Sequence, residues 1–226
     1  MQVVAPPSPS DAARAGDGLV LRDVRIALGK AELFRIGLTV HPGEIATIMG
    51  PSGRGKSTLL AHIAGFLDPA FSASGEVRLG GEDLLALAPE ERRLGLMFQD
   101  SLLFPHMSVA GNLLFALPQR IRGRRRRRAA VDEALADVGL EGLGERDPVT
   151  LSGGQASRVA LLRTLLAEPR ALLLDEPFSR LDRDLRGQVR TFVFERARSS
   201  GLPTLLVTHD HEDAEAAGGP ILDLGE

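Results

Sequence analysis

GPSGRGKST, Gly50 to Thr58, is the stretch on which the reading of this chain turns. Taken by itself it is either a flexible turn that carries a lysine or a loop built to hold phosphate. Its glycines let successive backbone N–H groups converge on one anion, and Lys56 adds a positive charge. The flanks separate the two readings. Glu44-Ile45-Ala46-Thr47-Ile48-Met49 before it is short and mostly apolar, as a buried strand is, and KSTLLAHIAGF after it spaces its apolar residues for a helix. Strand, glycine loop and helix in that order put the loop at a helix N-terminus, where unpaired N–H groups and the positive dipole end favour an anion. On this reading Gly50, Pro51, Ser52, Gly53, Arg54, Gly55, Lys56, Ser57 and Thr58 cradle the phosphates of a nucleotide. Lys56 contacts the terminal phosphates and Ser57 ligates Mg2+.

Composition bounds what such a loop can serve. The 226 residues suffice for one large domain with a sizeable core, and 43% hydrophobic with 25% charged residues is an ordinary globular balance. No apolar run approaches the roughly 18 to 20 residues that cross a bilayer, so any membrane link is expected to go through a partner. A net charge of −3 gives no general attraction for nucleic acid, and the absence of cysteine excludes disulfides and thiolate metal sites. Residues 1–18 carry Pro, Ser and Ala without a basic start or an apolar core, which reads as a loose tail rather than a secretion signal.

Along the chain the pattern alternates. LVLRDVRIAL from Leu19 and GLTV ahead of His41-Pro42-Gly43 read as strands, GEVRLGGEDL as a short hairpin, and LGLMFQ as another strand. From about Ser101 to Val149 the character becomes helical, in VAGNLLFAL and RRRRRAAVDEALADVGL, interrupted at Pro118, Gly123 and Gly139. Alternation then resumes: a helix in QASRVALLRTLLA, a strand in ALLLD, a helix in DRDLRGQVRTFVFERARSS and a strand in PTLLVTH. The expectation is an α/β fold over residues 19–226: a mostly parallel sheet, an N-terminal antiparallel β part and a helical insertion over about residues 101–150.

The strand Ala171-Leu172-Leu173-Leu174 ends in Asp175-Glu176-Pro177. Alone, the two carboxylates are equally an exposed acidic turn or a site for a cation, since burying unpaired charge is expensive. Beside a phosphate loop the second reading gains: Asp175 holds Mg2+ through water and Glu176 polarises the water that attacks the γ-phosphate.

Leu151-Ser152-Gly153-Gly154-Gln155, LSGGQ, lies between the phosphate loop and this strand, at the start of an amphipathic helix. With it the chain resembles the ATP-binding cassette ATPases, the motor subunits of ABC transporters, within the P-loop NTPase fold. The resemblance runs from about Leu19 to Leu224. It implies that Leu151, Ser152, Gly153, Gly154 and Gln155 of one copy close over ATP held by the phosphate loop of a second copy. Ser152 and the following glycine N–H groups would form the second anion site. Gln99 matches the glutamine that senses Mg2+ and the attacking water next to the permease contact. Asp182, in Ser179-Arg180-Leu181-Asp182, matches the loop that communicates across the dimer. His209 matches the histidine that touches the γ-phosphate; without the other motifs it would read as a histidine at a strand end. His41, His62, His106 and His211 match nothing and are taken as structural or solvated.

The resemblance further implies a homodimer on the cytoplasmic face of the cell membrane, bound to an integral membrane permease and through it served by a solute-binding protein. The separate chain and LLFPHMSVAGNLLFAL resemble importer ATPases that serve thiamine, sulfate, iron or polyamine permeases, and the short length points to the compact thiamine type. An exporter subunit and a soluble cassette ATPase are the alternatives. Two departures matter. The chain has no Tyr and no Trp, so near Ala27 or Leu28, where the family stacks adenine on an aromatic ring, only apolar contact is on offer, unless Phe34 swings in. Arg124 to Arg128, after Arg120 and Arg122, form a dense basic run that is either a solvated face or a patch for anionic lipid headgroups.

Overall fold

The computed structural model describes residues 18–51 and 53–224; the expected tail, apart from Gly18, lies outside them. Its strands are β1 (Leu19–Leu28), β2 (Ala31–Val40), β3 (Ile45–Met49), β4 (Phe71–Leu79), β5 (Glu82–Asp83), β6 (Leu94–Met97), β7 (Ala171–Asp175), β8 (Thr204–Val207) and β9 (Ile221–Asp223). Its helices are α1 (Lys56–Ala64), α2 (Val109–Ala116), α3 (Arg124–Asp137), α4 (Gly153–Leu166), α5 (Arg183–Ser199) and α6 (His211–Ala217). The chain divides into two compact units. Among the described residues, one takes 18–96 with Arg170–Asp175 and 197–224; the other takes Met97–Pro169 with Glu176–Arg196.

The first unit holds two sheets, one ordered β2-β1-β4-β5 and antiparallel, the other ordered β6-β7-β8-β3-β9. In the second sheet β7, β8, β3 and β9 run parallel. Parallel strands are covered on both faces and read as mostly apolar runs, which is what IATIM, ALLL and TLLV are, with Thr47 and Thr204 the polar members; every residue of these three strands is buried. One core unites both sheets with α1, through Leu19, Leu21, Val24 and Ile36 on one side, Ile48, Leu173, Leu205 and Val207 on the other, and Leu59, Leu60 and Ile63 of the helix.

In β1 the alternation slips. Leu19 and Leu21 face the core, then Val24 and Ile26, because a bulge with Asp23 at φ +50 inserts an extra residue. Gly75 of β4 accommodates it: a Cβ there would stand 2.5 Å from the Asp23 carbonyl oxygen. β2 begins at Ala31 rather than Gly37, since Leu28 pairs with Ala31 across a tight Gly29-Lys30 turn whose flanking residues are mostly exposed and carry no apolar alternation. The short β9 and α6 are also absent from the sequence reading. β9 has three residues, mostly exposed, and α6 has one buried face of Asp213, Ala214 and Ala217 in an acidic heptapeptide.

The C-terminal end of α1 is closed by a buried cation. Arg92, 6% exposed, donates to the carbonyls of His62, Ile63 and Leu87, so a charge complements the negative end of the helix dipole while satisfying orphan carbonyls. Burial, and next the nearby Arg92 charge, push the His62 imidazole below its ordinary 6.5; its Nε2 is buried without a hydrogen-bond partner among the described residues. The folded protein therefore binds fewer protons at this site than the unfolded chain does. The stabilisation is complete above 6.5 and is lost as pH falls from 6.5 through the lowered folded value. Melting curves from about pH 8 down to about pH 5 are expected to fall less steeply below 6.5 for His62→Gln than for the unmodified protein. Equal slopes would exclude His62 as the titrating group.

In the second unit α2, α3 and α4 pack around Val109, Leu113, Val131, Leu135, Val159 and Leu162. Internal arginines again bind helix ends. Arg127 donates to the carbonyl of Leu114 in the last turn of α2 and to those of Pro118 and Ile121 beyond it, and the buried Arg158 to those of Val138 and Gly139 beyond α3.

Candidate functional site

The phosphate-type loop follows β3 directly. Gly50, Gly53 and Gly55 have φ +134, +81 and +82, values that L side chains rarely adopt, so the loop's course depends on glycine at these positions. Gly55 is also closed in on the side: a Cβ would lie 3.0 Å from Cε1 of Phe34 and 3.2 Å from Cδ1 of Leu33. Phe34 is thus a half-buried wall behind the loop, packed on the core. Gly55 caps α1, whose first N–H groups, those of Lys56 and Ser57, have no i−4 carbonyl to bind. Lys56 is 6% exposed, and its ammonium donates to the carbonyls of Gly50 (2.7 Å) and Pro51 (2.8 Å). Among the described residues, two of its three N–H bonds are engaged by the loop itself. Ser57 is exposed at the first turn, next to Thr58.

The carboxyl ends of the neighbouring strands stand beside the loop. In register, Ile48 of β3 pairs with Val207 of β8, and Val207 with Asp175 of β7. The Thr208 N–H continues the ladder to the Ile48 carbonyl at 3.2 Å, and His209 follows, exposed. The loop, Asp175 and His209 therefore occupy one edge of three adjacent parallel strands, where open α/β sheets bind ligands. Asp175, 6% exposed, sits two strand spacings from the loop's strand, about 10 Å of backbone. Thr208, 2% exposed, approaches the Asp213 carboxylate at 3.4 Å and accepts from the Asp210 N–H at 3.1 Å. Asp210 in turn caps α6 by accepting from the Glu212 and Asp213 N–H groups. This anchoring of the His209 turn escaped the sequence reading; Asp210 two residues ahead of Glu212-Asp213 is the capping signal that marks it.

Of the other candidates, Glu176, Gln99, Asp182 and the LSGGQ segment lie in the second unit. Glu176 has φ +46, and its carbonyl accepts from both the N–H (3.2 Å) and the Oγ (2.9 Å) of Ser179. The next carbonyl, of Pro177, accepts from Ser157 Oγ on α4 at 3.1 Å, while Phe178 is fully buried edge-on against Phe194. Gln99 is exposed beyond β6, which ends at Met97 instead of running through it, since Phe98 and Gln99 leave the ladder for solvent. Its neighbour Asp100 pairs with Arg180 of the Ser179–Asp182 loop. Asp182 accepts from the Leu185 N–H and so starts α5.

LSGGQ opens α4 with a reciprocal cap. Ser152 Oγ accepts from the Gln155 N–H at 3.2 Å, and Gln155 Oε1 accepts from the Ser152 N–H at 3.0 Å. Ser152 accepts in this cap, so its own hydroxyl hydrogen remains to be donated. Gly154 is required by packing: a Cβ would stand 3.0 Å from the Arg180 carbonyl. Leu151 is half-buried against the helical core.

A family model described as ABC transporter matches residues 33–179. The chain belongs to the ABC transporter family. The uncharacterized ABC transporter ATP-binding protein YnjD of Escherichia coli K12 is 47% identical over 92% of this chain and 95% of its own length. The Fe(3+) ions import ATP-binding protein FbpC 1 of Rhizobium meliloti is 43% identical over 83% of this chain and 52% of its own. The spermidine/putrescine import ATP-binding protein PotA of Pseudomonas aeruginosa is 45% identical over 80% and 49%. The chain spans about half the length of these two import relatives. In structure it is similar to the ATP-binding cassette MJ0796, solved as a dimer in a post-hydrolysis state with ADP and Pi. The TM-score is 0.79 at 28% identity, over 92% of this chain and 94% of that one. As a cassette of this family the protein is an ATPase, and its fold is the P-loop NTPase α/β fold.

Proposed function

We propose that this cassette drives import of a small solute as a homodimer bound to an integral membrane permease at the cytoplasmic face of the cell membrane. The observation that carries the reading is the presence of two anion-ready helix starts in one chain. One is the phosphate loop, with Asp175 and His209 on the neighbouring strand ends; the other is the capped LSGGQ helix. The import relatives FbpC and PotA support import, and the dimer in which the structural relative was solved supports pairing of two copies. Among the described residues no helix is long and apolar enough to cross a membrane, hence the permease.

ATP lies with its phosphates on residues 50–58 of one copy, against Ser152 and the Gly153 and Gly154 N–H groups of the other. Glu176 takes a proton from the attacking water as its oxygen bonds to the γ-phosphorus. The bridging oxygen leaves with ADP, while Lys56 and His209 hold the charge that develops. Asp175 supplies a buried carboxylate and Ser57 an exposed hydroxyl, a donor set that suits Mg2+, since that ion takes one or two carboxylates and completes its shell with other oxygens, phosphate and water among them. Ser57, Asp175 and Gln99 would hold it, and when bound it spreads charge off the phosphates. Gln99 and Asp182 report nucleotide state to the permease and across the dimer.

At the position where the family stacks adenine, Leu28, 47% exposed at the end of β1, and the half-buried Ala27 offer only apolar contact, and Phe34 is committed to the wall behind Gly55. GTP is therefore expected to compete with ATP within about tenfold in turnover assays; a preference for ATP of a thousandfold would reject apolar contact as the base reader. The solute is recognised by the permease and its binding protein, and the thiamine, ferric iron and polyamine classes are the candidates. The direction is tested by reconstituting the cassette with its permease in vesicles. Stimulation of ATP turnover by a solute-loaded binding protein supports import, whereas ATP-driven solute movement out of the cassette-bearing side overturns it.

A further inference from the structure

The basic run of α3 divides into two groups. Arg127 is consumed by carbonyls at the end of α2, Arg128 pairs with Asp132 and Glu145, and Arg120 pairs with Glu168. Arg122, Arg124, Arg125 and Arg126 are exposed and make no hydrogen bond or ion pair among the described residues. They sit where a helix least tolerates cations. Gly123 caps α3 without a side-chain hydrogen bond, and no acidic residue occupies the first turn, so the guanidiniums add to the positive end of the helix dipole. A solvated basic face normally carries carboxylates four residues on, as Arg128 has in Asp132. Here the corresponding positions hold Arg128, Ala129 and Ala130. The arrangement is left uncompensated by the protein itself.

From this we infer that the Arg122–Arg126 corner of the helical unit contacts the anionic phospholipid surface of the membrane directly. This goes beyond the proposed function and does not depend on it. Long arginine side chains that no described residue pins fit a diffuse sheet of phosphates better than a fixed acidic pocket. An apolar companion lies close by. The Arg127 guanidinium reaches the Leu114 carbonyl, which sets the start of α3 beside the end of α2, where Phe115 is 66% exposed. An aromatic ring with neighbouring cations is the combination that settles at a headgroup layer.

The test is co-sedimentation of the purified full chain, without permease, with phosphatidylcholine vesicles and with vesicles containing about one third phosphatidylglycerol. Binding is expected on the anionic vesicles alone, weakening steeply as salt shortens the Debye length from about 10 Å to about 3 Å. The variant R122Q/R124Q/R125Q/R126Q is expected to bind at least about tenfold more weakly while its ATP turnover in solution is unchanged. The salt series on the unmodified protein is a measurement that does not depend on the variant folding. No binding to either vesicle, equal binding to both, salt-independent binding, or a folded variant that binds like the original overturns the inference.

Discussion

Glu176→Gln is expected to lower ATP turnover by about a hundredfold or more and to leave ATP-bound dimers that persist through size exclusion. A general base contributes about 10²–10⁴ to a rate, and the amide keeps the shape of the carboxylate but not its proton affinity. The backbone around it should hold either side chain in place. The strained φ of +46 is over-determined by the two Ser179 bonds, by Ser157 on the next carbonyl and by Phe178 locked against Phe194. Melting temperature and ATP affinity are therefore expected to stay close to those of the unmodified protein, which separates a chemical role from a structural one. Turnover that survives unchanged would remove Glu176 from the mechanism. Loss of ATP binding along with turnover would make it a structural residue of the turn.

The elements that could be read in the sequence are those whose cause is local. Three glycines that take positive φ mark the phosphate-type loop, and buried parallel strands such as ALLL and TLLV stand out as short, mostly apolar runs. The LSGGQ cap is likewise a pattern of four neighbours. What the sequence hides is set by distant partners. Arg92, Arg127 and Arg158 each close a helix end, and nothing in their flanking residues distinguishes them from solvated arginines. The slip in β1 depends on Gly75, about fifty residues on, and on the room it leaves for the Asp23 carbonyl. Nor does spacing along the chain reveal that Asp175, Val207 and Ile48 share one level; only the parallel register does so. The basic run shows the same limit. As a sequence it is uniform, whereas in the fold Arg127 and Arg128 are engaged and the arginines before them are not.

Lys56→Ala is the other substitution with a large expected effect, and its consequences divide by state. Without nucleotide, the ammonium is the internal tie of the loop, bonded to the Gly50 and Pro51 carbonyls. Removing it frees both carbonyls to water at an exposed loop, so the cost to folding should be modest, about 1 kcal/mol. With nucleotide, on the proposed function, the same ammonium becomes a charge-assisted donor to phosphate, worth about 1.5–3 kcal/mol, so ATP affinity is expected to fall by roughly ten- to a hundredfold. Turnover should fall further, by about a hundredfold or more at saturating ATP, because the charge on the phosphoryl oxygens grows at the transition state. Lys56→Arg should not rescue either quantity. A 6% exposed position between two carbonyls fits a compact ammonium, and the planar guanidinium fork is larger and differently aimed. Titration of ATP binding beside single-turnover hydrolysis measures the two effects separately. Unchanged affinity and rate in a folded Lys56→Ala protein would mean that the tie to Gly50 and Pro51 is the whole of its role, and that the loop's N–H groups alone hold the phosphates.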